Sequence, residues 1–242
     1  MSFRELHDGF FVMPNPWDIG SARLLEGLGF PALATTSSGH AASIGKADGE
    51  VTLDELLDHV AAIAASVRVP INVDAEYGFA TDLAGIAETV DRLADAGAAG
   101  MSIEDYNRDT RAVEPIGVAT ERVAAAADAA RRHGLVLTGR AENLIRGVDD
   151  LDDTITRLKA YRDAGADVVY APGLVKLDDI RRVVAEAGVP VNVLALPAAP
   201  STAELREAGV ARVSTGGALA HAAYAESRRL AEELLAPDEG GH

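Results

Sequence analysis

Two acidic pairs and an arginine follow apolar runs of this chain. One run ends at Val73 and leads into Asp74 and Glu76, whose i, i+2 spacing places both side chains on one face of a strand. A second run leads into the pair Glu104-Asp105, and a third leads into Arg140. Carboxylates on two strand ends and an arginine on a third indicate a divalent metal ion together with an anionic substrate.

Composition narrows the classes of protein that fit. The chain has 242 residues, of which 48% are hydrophobic, and a formal net charge of −16. This charge argues against a nucleic acid or an anionic membrane surface as a partner. The absence of cysteine excludes disulfides, thiolate metal ligands and a cysteine nucleophile. No signal peptide and no run long enough to span a membrane are recognisable, so we expect a cytoplasmic protein.

Eight alternating strand and helix patterns fill the chain. The predicted strands lie near residues 10–13, 31–36, 70–76, 101–105, 135–140, 167–171, 190–194 and 211–214. The predicted helices lie near residues 18–28, 52–66, 82–96, 120–133, 149–164, 177–187, 201–208 and 218–235. A loop is expected at 40–49 and a polar loop at 106–118, and residues 237–242 read as a short disordered tail.

This alternation predicts a parallel sheet, and eight units in about 240 residues favour a single-domain (β/α)8 TIM barrel over residues 1–242. A doubly wound sheet is the alternative. In a barrel the chemistry lies at the carboxyl ends of the strands. The distinctive polar residues and glycines fall there: Ser38, Gly39, Asp74, Glu76, Glu104, Asp105, Arg140, Asn192, Gly216 and Gly217.

Oxygen ligands favour Mg²⁺, or Mn²⁺, over zinc. Each feature also has a structural interpretation. Asp74 or Glu76 alone could cap the next helix, Glu104 could begin a loop, and Arg140 could pair with a strand-end carboxylate. Ser38-Gly39 could be an ordinary turn. All four structural explanations would have to hold together to exclude a functional site. His40 could transfer a proton near neutral pH.

In order along the chain, several motifs resemble those of the isocitrate lyase/phosphoenolpyruvate mutase superfamily. They are Asn15-Pro16-Trp17-Asp18, Ser38-Gly39, Asp74-Ala75-Glu76-Tyr77-Gly78-Phe79, Gly100-Met101-Ser102-Ile103-Glu104-Asp105, Gly139-Arg140-Ala141-Glu142 and Tyr161-Arg162-Asp163-Ala164-Gly165-Ala166-Asp167. The resemblance implies an α/β barrel that binds Mg²⁺ and a 2-oxo or 2-hydroxy carboxylate. It also implies cleavage or formation of a C–C or P–C bond, often through an enolate.

The same resemblance implies roles for individual residues. Asp74, Glu76 and Glu104 match the acids of the metal site. Ser38 and Gly39 match the segment that holds the substrate carboxylate. Arg140 matches the arginine that grips substrate oxygens, Asn192 matches a substrate-contacting asparagine, and Asp48 falls near a loop aspartate. Relatives assemble as homodimers or homotetramers, so we expect the same here.

One departure from the superfamily is informative. Its isocitrate and methylisocitrate lyases carry an acid/base cysteine on a mobile loop, whereas this chain has none and reads Tyr106-Asn107-Arg108-Asp109 there. We therefore expect a Mg²⁺-dependent C–C lyase, for example a decarboxylase, of a small 2-oxo or 2-hydroxy acid. The alternatives are phosphonopyruvate chemistry, a phosphate-binding isomerase using Gly216-Gly217, and a non-catalytic metabolite-binding protein.

Overall fold

The apolar runs of the sequence form eight parallel strands in a computed structural model, which describes residues 1–235. The tail predicted at 237–242 lies outside the described residues. In chain order the strands are β1 (Phe11–Met13), β2 (Leu33–Ala34), β3 (Ile71–Asp74), β4 (Gly100–Glu104), β5 (Tyr106–Asn107), β6 (Ala112–Val113), β7 (Val136–Arg140), β8 (Val168–Tyr170), β9 (Val191–Leu194) and β10 (Arg212–Ser214).

The main sheet runs in the order β1-β10-β9-β8-β7-β4-β3-β2, and all its pairings are parallel. Neighbouring strands of the main sheet therefore follow one another along the chain, whereas in a doubly wound sheet the strand order would reverse partway across the sheet. The two outer strands meet where the Ala34 amide donates to the Pro14 carbonyl at 3.1 Å. The fold is therefore a TIM-barrel-like closed sheet, as the strand–helix alternation predicts.

Asn15 supports this closure from the end of β1. Its Nδ2 donates to the Thr35 carbonyl at 2.8 Å, and its Oδ1 accepts the amide hydrogens of Thr215 and Gly216 at 2.9 Å each. One buried side chain therefore links the ends of β1, β2 and β10, which explains an asparagine at this position.

The helices surround the sheet. They are α1 (Ile19–Gly27), α2 (Ser37–Ser43), α3 (Leu53–Ala64), α4 (Leu83–Asp95), α5 (Ile116–His133), α6 (Leu151–Asp163), α7 (Leu177–Ala187), α8 (Thr202–Glu207) and α9 (Ala218–Leu235). Capping boxes at Asp18, Thr52 and Ser201 start three of them, and Gly134 ends α5 in the left-handed conformation. Within the described residues, no helix is long and apolar enough to cross a membrane.

Two loop predictions are wrong in detail. The loop predicted at 40–49 begins as helix, because residues 37–43 form α2, at whose N-terminus the Thr36 hydroxyl accepts a hydrogen bond from the Gly39 amide. The polar loop at 106–118 contains an antiparallel hairpin, β5–β6, and α5 already begins at Ile116. Both changes concern segments that lie over the carboxyl ends of the strands.

The barrel interior holds a buried arginine as well as apolar side chains. Arg212 of β10 is 2% exposed and donates to Asn192 Oδ1 and Thr138 Oγ1, both at 2.9 Å. Its Nη1 lies 3.2 Å from Nε2 of His7, which belongs to a short 3₁₀ turn at the N-terminus. Burial lowers the pKa of Arg212 to about 9. This chain of contacts links the N-terminal turn to the inside of the barrel.

Candidate active site

Arg140 is the centre of the polar group at the carboxyl ends of the strands. Its Nη1 lies 3.5 Å from Asp74 Oδ1 and 3.3 Å from Glu104 Oε2, and its Nε donates to Glu142. The three carboxylates come from the ends of β3, β4 and β7, so the parallel sheet brings them together. Glu142 is fully buried and also pairs with Arg146 at 3.0 Å. The predicted residues Asp74, Glu104 and Arg140 therefore form one site.

Burial shapes the acidity of this group. It raises the pKa of Glu104 well above its ordinary value, and Arg140 opposes that shift. Burial makes the ionised form of Glu104 unfavourable, and a nearby cation stabilises that ionised form. Glu104 therefore favours additional positive charge beside it.

Glu76 reaches the site by a turn rather than by strand alternation. Strand β3 ends at Asp74, and Glu76 has a left-handed backbone with φ 46°. The prediction that Glu76 shares one strand face with Asp74 is therefore wrong, although Glu76 does lie beside Asp74. Burial, followed by the charge of Asp74, raises the pKa of Glu76 to about 7. Its ion-pair partner is Arg108, with Nε 2.8 Å from Glu76 Oε2.

Arg108 comes from the hairpin segment that crosses the strand ends. Its Nη2 donates to Oδ2 of Asp48 at 3.3 Å, so one guanidinium bridges Asp48 and Glu76. Gly49 lies against this guanidinium, and a Cβ atom there would collide with it. The structure thus brings Asp48 to the edge of the site through Arg108. A cavity of about 560 Å³ opens beside this bridge, lined in part by Val51 and Glu76.

Asp105 holds the site together from behind. Its Oδ1 accepts the amide hydrogen of Glu142 at 2.8 Å, and its Oδ2 accepts from Tyr161 at 2.6 Å and from Arg157 at 3.1 Å. With a side chain that is 1% exposed, Asp105 faces these partners rather than a ligand. It fixes the turn that carries Glu142 beside Arg140.

Ser38 and Gly39 lie on the first turn of α2, at the same end of the barrel. The preceding amide, that of Ser37, donates to Asp74 Oδ2 at 3.2 Å. A Cβ atom on Gly39 would lie 2.6 Å from Thr36 Cγ2, so this glycine is required by close packing. The predicted substrate-carboxylate segment is therefore adjacent to Asp74.

Asn192 lies deeper in the barrel. Its Nδ2 donates to Ser214 Oγ at 2.9 Å, and its Oδ1 accepts from Arg212. Asn192, Asp74 and Arg140 line one polar cavity of about 50 Å³. The structure thus places Asn192 at the inner wall of the site, with its amide group already hydrogen-bonded.

His40 is not brought to the carboxylates. Its ring stacks on His59 of α3, with centroids 3.7 Å apart, and both ring nitrogens are buried without a hydrogen-bond partner. Burial lowers the pKa of both histidines, to about 3 for His59. A neutral imidazole pair between two helices is suited to packing.

The residues at the mouth fit a hydrated divalent ion. Within residues 1–235, no three acidic or histidine side chains surround one point closely enough to hold a metal by themselves. Mg²⁺, however, keeps several water molecules and uses only one or two carboxylates directly. Asp74 Oδ1 and Glu104 Oε1 are buried and accept no hydrogen bond, although Asp74 Oδ1 lies 3.5 Å from Arg140 Nη1. These two orphaned oxygens are suitable ligands.

The charges lead to the same conclusion. Five carboxylates at the mouth face three guanidinium groups, which leaves two negative charges when all are ionised. The groups are Asp48, Asp74, Glu76, Glu104 and Glu142 against Arg108, Arg140 and Arg146. Asp48 is 47% exposed, but the other four carboxylates are at most 17% exposed, and a negative excess among them favours protonation or a cation.

No function is predicted from the sequence for Arg108, Glu142 or Arg122. Glu142 follows Arg140 at i, i+2, the same spacing as Asp74 and Glu76, and this was an available signal. The partners of Arg108 and Arg122 lie far away in sequence, so no local pattern could have identified them.

A TIM-barrel-like fold with carboxylates and an arginine at the carboxyl ends of its strands is typical of a barrel enzyme. The chain belongs to the phosphoenolpyruvate phosphomutase family, whose sequence model matches residues 3–235. This result confirms the predicted superfamily. Members of that superfamily use divalent metal ions.

Three comparisons show how near the relatives are. The 2-methylisocitrate lyase of Salmonella typhimurium is 34% identical over 203 residues, which is 78% of this chain and 68% of the lyase. The oxaloacetate decarboxylase of Rhodopseudomonas palustris is 32% identical over 190 residues, 75% of this chain and 65% of the relative. A crystal structure from Burkholderia cenocepacia, named only as a lyase/mutase, is 47% identical, with a TM-score of 0.93 and coverage of 99% and 88%. The prediction of an enzyme within this superfamily of lyases and mutases is thereby confirmed.

Proposed function

We propose that this protein is a Mg²⁺-dependent lyase that cleaves a C–C bond, for example by decarboxylation, in a small 2-oxo or 2-hydroxy carboxylic acid. The observation that carries the proposal is the pair of orphaned oxygens on Asp74 and Glu104 beside Arg140, in a mouth with excess negative charge. Similarity to a 2-methylisocitrate lyase and an oxaloacetate decarboxylase supports the reaction class.

Asp74 and Glu104 would hold the metal ion, with Glu76 and Asp48 acting through its water molecules. When bound, Mg²⁺ supplies Lewis-acid stabilisation of negative charge on the substrate's 2-oxo oxygen. The oxygen-only ligands favour Mg²⁺ or Mn²⁺ over zinc, and we propose Mg²⁺ as the ion that the protein uses.

The chain's own residues orient the substrate. Within the described residues, Arg140 donates no hydrogen bond through Nη2, so this nitrogen is available for a substrate oxygen. Charge-assisted hydrogen bonds of this kind are about twice as strong as neutral ones. Ser38, on the first turn of α2, would offer its hydroxyl to the substrate carboxylate, while the neighbouring Gly39 amide already donates to Thr36 Oγ1. Asn192 closes the inner side.

When the departing carboxylate sits on the carbon next to the 2-oxo group, breaking its C–C bond releases CO₂ and leaves the electron pair shared between that carbon and the 2-oxo oxygen until the carbon takes up a proton. This step requires no acid/base cysteine. The chain has no cysteine, which favours decarboxylation over the chemistry that such a residue performs. Glu76, whose pKa is raised to about 7, is the group best suited to return a proton near neutral pH.

The test is turnover of oxaloacetate, 2-hydroxy dicarboxylates and phosphonopyruvate, with Mg²⁺ and with EDTA. We expect release of a 2-oxo acid that requires Mg²⁺ and falls at least 100-fold in Asp74→Ala. The matched control Asp128→Ala removes an exposed carboxylate and should keep wild-type activity. Turnover that is equal with EDTA, or unchanged in Asp74→Ala, would refute the mechanism. Turnover of phosphonopyruvate alone would select P–C chemistry instead.

We also propose that the chain acts as a single barrel domain and assembles as a homodimer or homotetramer. Helix α9 supports assembly, since Ala220 is its one buried residue while Tyr224, Leu230 and Leu234 are exposed. Size-exclusion chromatography with light scattering measures the assembly, and a monomer at micromolar concentration would contradict it. The cytoplasmic location stays a prediction, as does the absence of nucleic-acid and membrane partners.

A further inference from the structure

Arg122 of α5 is a buried arginine that contacts backbone rather than carboxylates. It is 3% exposed and forms no ion pair within residues 1–235. Its Nη2 donates to the carbonyls of Tyr77 at 2.6 Å and Ala80 at 2.8 Å, and its Nη1 to that of Thr81 at 3.4 Å. The guanidinium carbon also lies 3.5 Å from the centre of the Tyr77 ring.

The segment that Arg122 binds directly follows Glu76 and has an unusual backbone. Glu76 and Phe79 have left-handed φ values of 46° and 54°, with Gly78 at 92° between them. Non-glycine residues adopt this region at a cost in free energy and persist there only where the surrounding structure holds them. The hydrogen bonds from Arg122 to the carbonyls of Tyr77, Ala80 and Thr81 are such a constraint, because all three can form together only in one conformation of this loop.

The same arginine is linked to the partner of Glu76. The Tyr77 hydroxyl donates to Glu114 Oε1 at 2.7 Å, and Asn107 Nδ2 donates to the same oxygen at 2.8 Å. Asn107 precedes Arg108, which pairs with Glu76. Arg122 therefore contacts Tyr77, Tyr77 is connected to the hairpin through Glu114, and the hairpin residue Arg108 pairs with Glu76.

We propose that Arg122 is a positioning residue, which holds Glu76 in its left-handed conformation so that its carboxylate faces the metal-binding mouth. The inference rests on the proposed function for the metal, but its structural part stands on the loop contacts alone. Arg122 forms no ion pair with the described carboxylates of the mouth and acts through the backbone of residues 77–81.

The test compares Arg122→Lys with Arg132→Lys. Lysine keeps the charge, but a single ammonium group cannot reach three carbonyls in the same geometry. Arg132 lies on the same helix and is 52% exposed, so it is the matched control. The readout is the Mg²⁺ concentration that gives half of the rise in melting temperature in the presence of oxalate, a planar dicarboxylate.

We expect Arg122→Lys to raise this concentration about tenfold, as loss of a group that orients metal ligands typically does. Arg132→Lys should stay within twofold of wild type. In a Glu76→Gln background, Arg122→Lys should add less than twofold, because its effect passes through Glu76. An unchanged midpoint in Arg122→Lys, or an equally large effect in the Glu76→Gln background, would overturn the inference.

Amide hydrogen exchange separates this inference from the proposed function. If wild type shows no shift with Mg²⁺ and oxalate, the proposed metal site fails. Arg122→Lys must still accelerate exchange at residues 77–81 relative to wild type and Arg132→Lys. Unchanged exchange in this loop would refute the positioning role whatever the metal result.

Discussion

Replacing Arg140 with methionine removes the cation shared by Asp74, Glu104 and Glu142. Methionine keeps much of the side-chain volume, so the change is chiefly one of charge. Glu142 is fully buried and keeps Arg146 as a partner, whereas the side chain of Glu104 is 3% exposed and loses its nearest cation. Removing one partner of a buried ion pair costs about 3–5 kcal/mol.

We expect a loss of about 3 kcal/mol at pH 8, near the lower end because Arg146 remains. For a chain of this size, 1 kcal/mol shifts the melting temperature by about 2–4 °C, so Arg140→Met should melt roughly 6–12 °C lower. The loss should be smaller at pH 5.5. Burial raises the pKa of Glu104, and a protonated carboxyl needs no counter-charge, so the penalty grows as the pH rises through that pKa.

Thermal and urea unfolding at both pH values, with and without Mg²⁺, measure this effect. Saturating Mg²⁺ should restore part of the lost stability at pH 8, since the ion adds positive charge beside Asp74 and Glu104. Arg132→Met, on the surface of α5, is the control and should change stability by less than 1 kcal/mol. A loss below 1 kcal/mol for Arg140→Met at pH 8 would show that the carboxylates are neutral or hydrated, and would refute the charge argument.

Three further predictions concern the surroundings of the site. Burial lowers the pKa of His59 in the folded protein to about 3, whereas in the unfolded chain this histidine binds a proton below about pH 6.5, so wild type loses stability as the pH falls. In His59→Gln, the fall in the free energy of unfolding between pH 7 and pH 5 should therefore be about 2 kcal/mol smaller than in wild type. Urea unfolding at both pH values measures this difference. Tyr161→Phe should cost about 1–3 kcal/mol in urea unfolding, because Asp105 loses a buried donor. Gly39→Ala should lower stability by about 1–3 kcal/mol in thermal unfolding, because its Cβ atom would lie 2.6 Å from Thr36 Cγ2.

Each of these has a control and a contradicting result. The glycine test is paired with Gly117→Ala, a helical position with open space, which should be neutral or stabilising; equal effects at both positions would refute the packing argument. Tyr161 is paired with Tyr224→Phe on the exposed face of α9, and a loss no larger than that of the control would contradict the role of the hydroxyl. An unchanged pH dependence in His59→Gln would show that the buried pair does not titrate.

The sequence predicted the elements whose cause is local. Thr52 and Glu55 form the capping box that starts α3, and Gly134 ends α5, because caps depend on residues within one turn. The apolar strand runs and the polar residues after them placed Asp74, Glu104 and Arg140 at one end of a barrel. The parallel sheet then brings them together without further information.

The parts that the sequence could not predict depend on distant contacts. Arg108 finds Asp48 from 60 positions away. Glu76 does not follow the side-chain alternation of strand β3, because its backbone is in the left-handed conformation. Arg122 lies 45 positions beyond Tyr77 in the sequence and donates to the Tyr77 carbonyl in that turn. His40 looked suited to proton transfer by type, but the helix α2 that carries it directs the ring toward His59.

The contact between His7, Arg212 and Asn192 has a consequence for redesign of this barrel. A substitution at Asn192 removes one of the two side-chain oxygens that accept from the buried Arg212 guanidinium, so position 192 is costly to vary in a library aimed at new substrates. Shortening the N-terminal turn disturbs the same guanidinium from the opposite end, so truncations there should be judged by catalytic as well as folding assays. The hairpin between β5 and β6 has exposed positions such as Arg111, and diversity introduced there leaves the barrel interior intact.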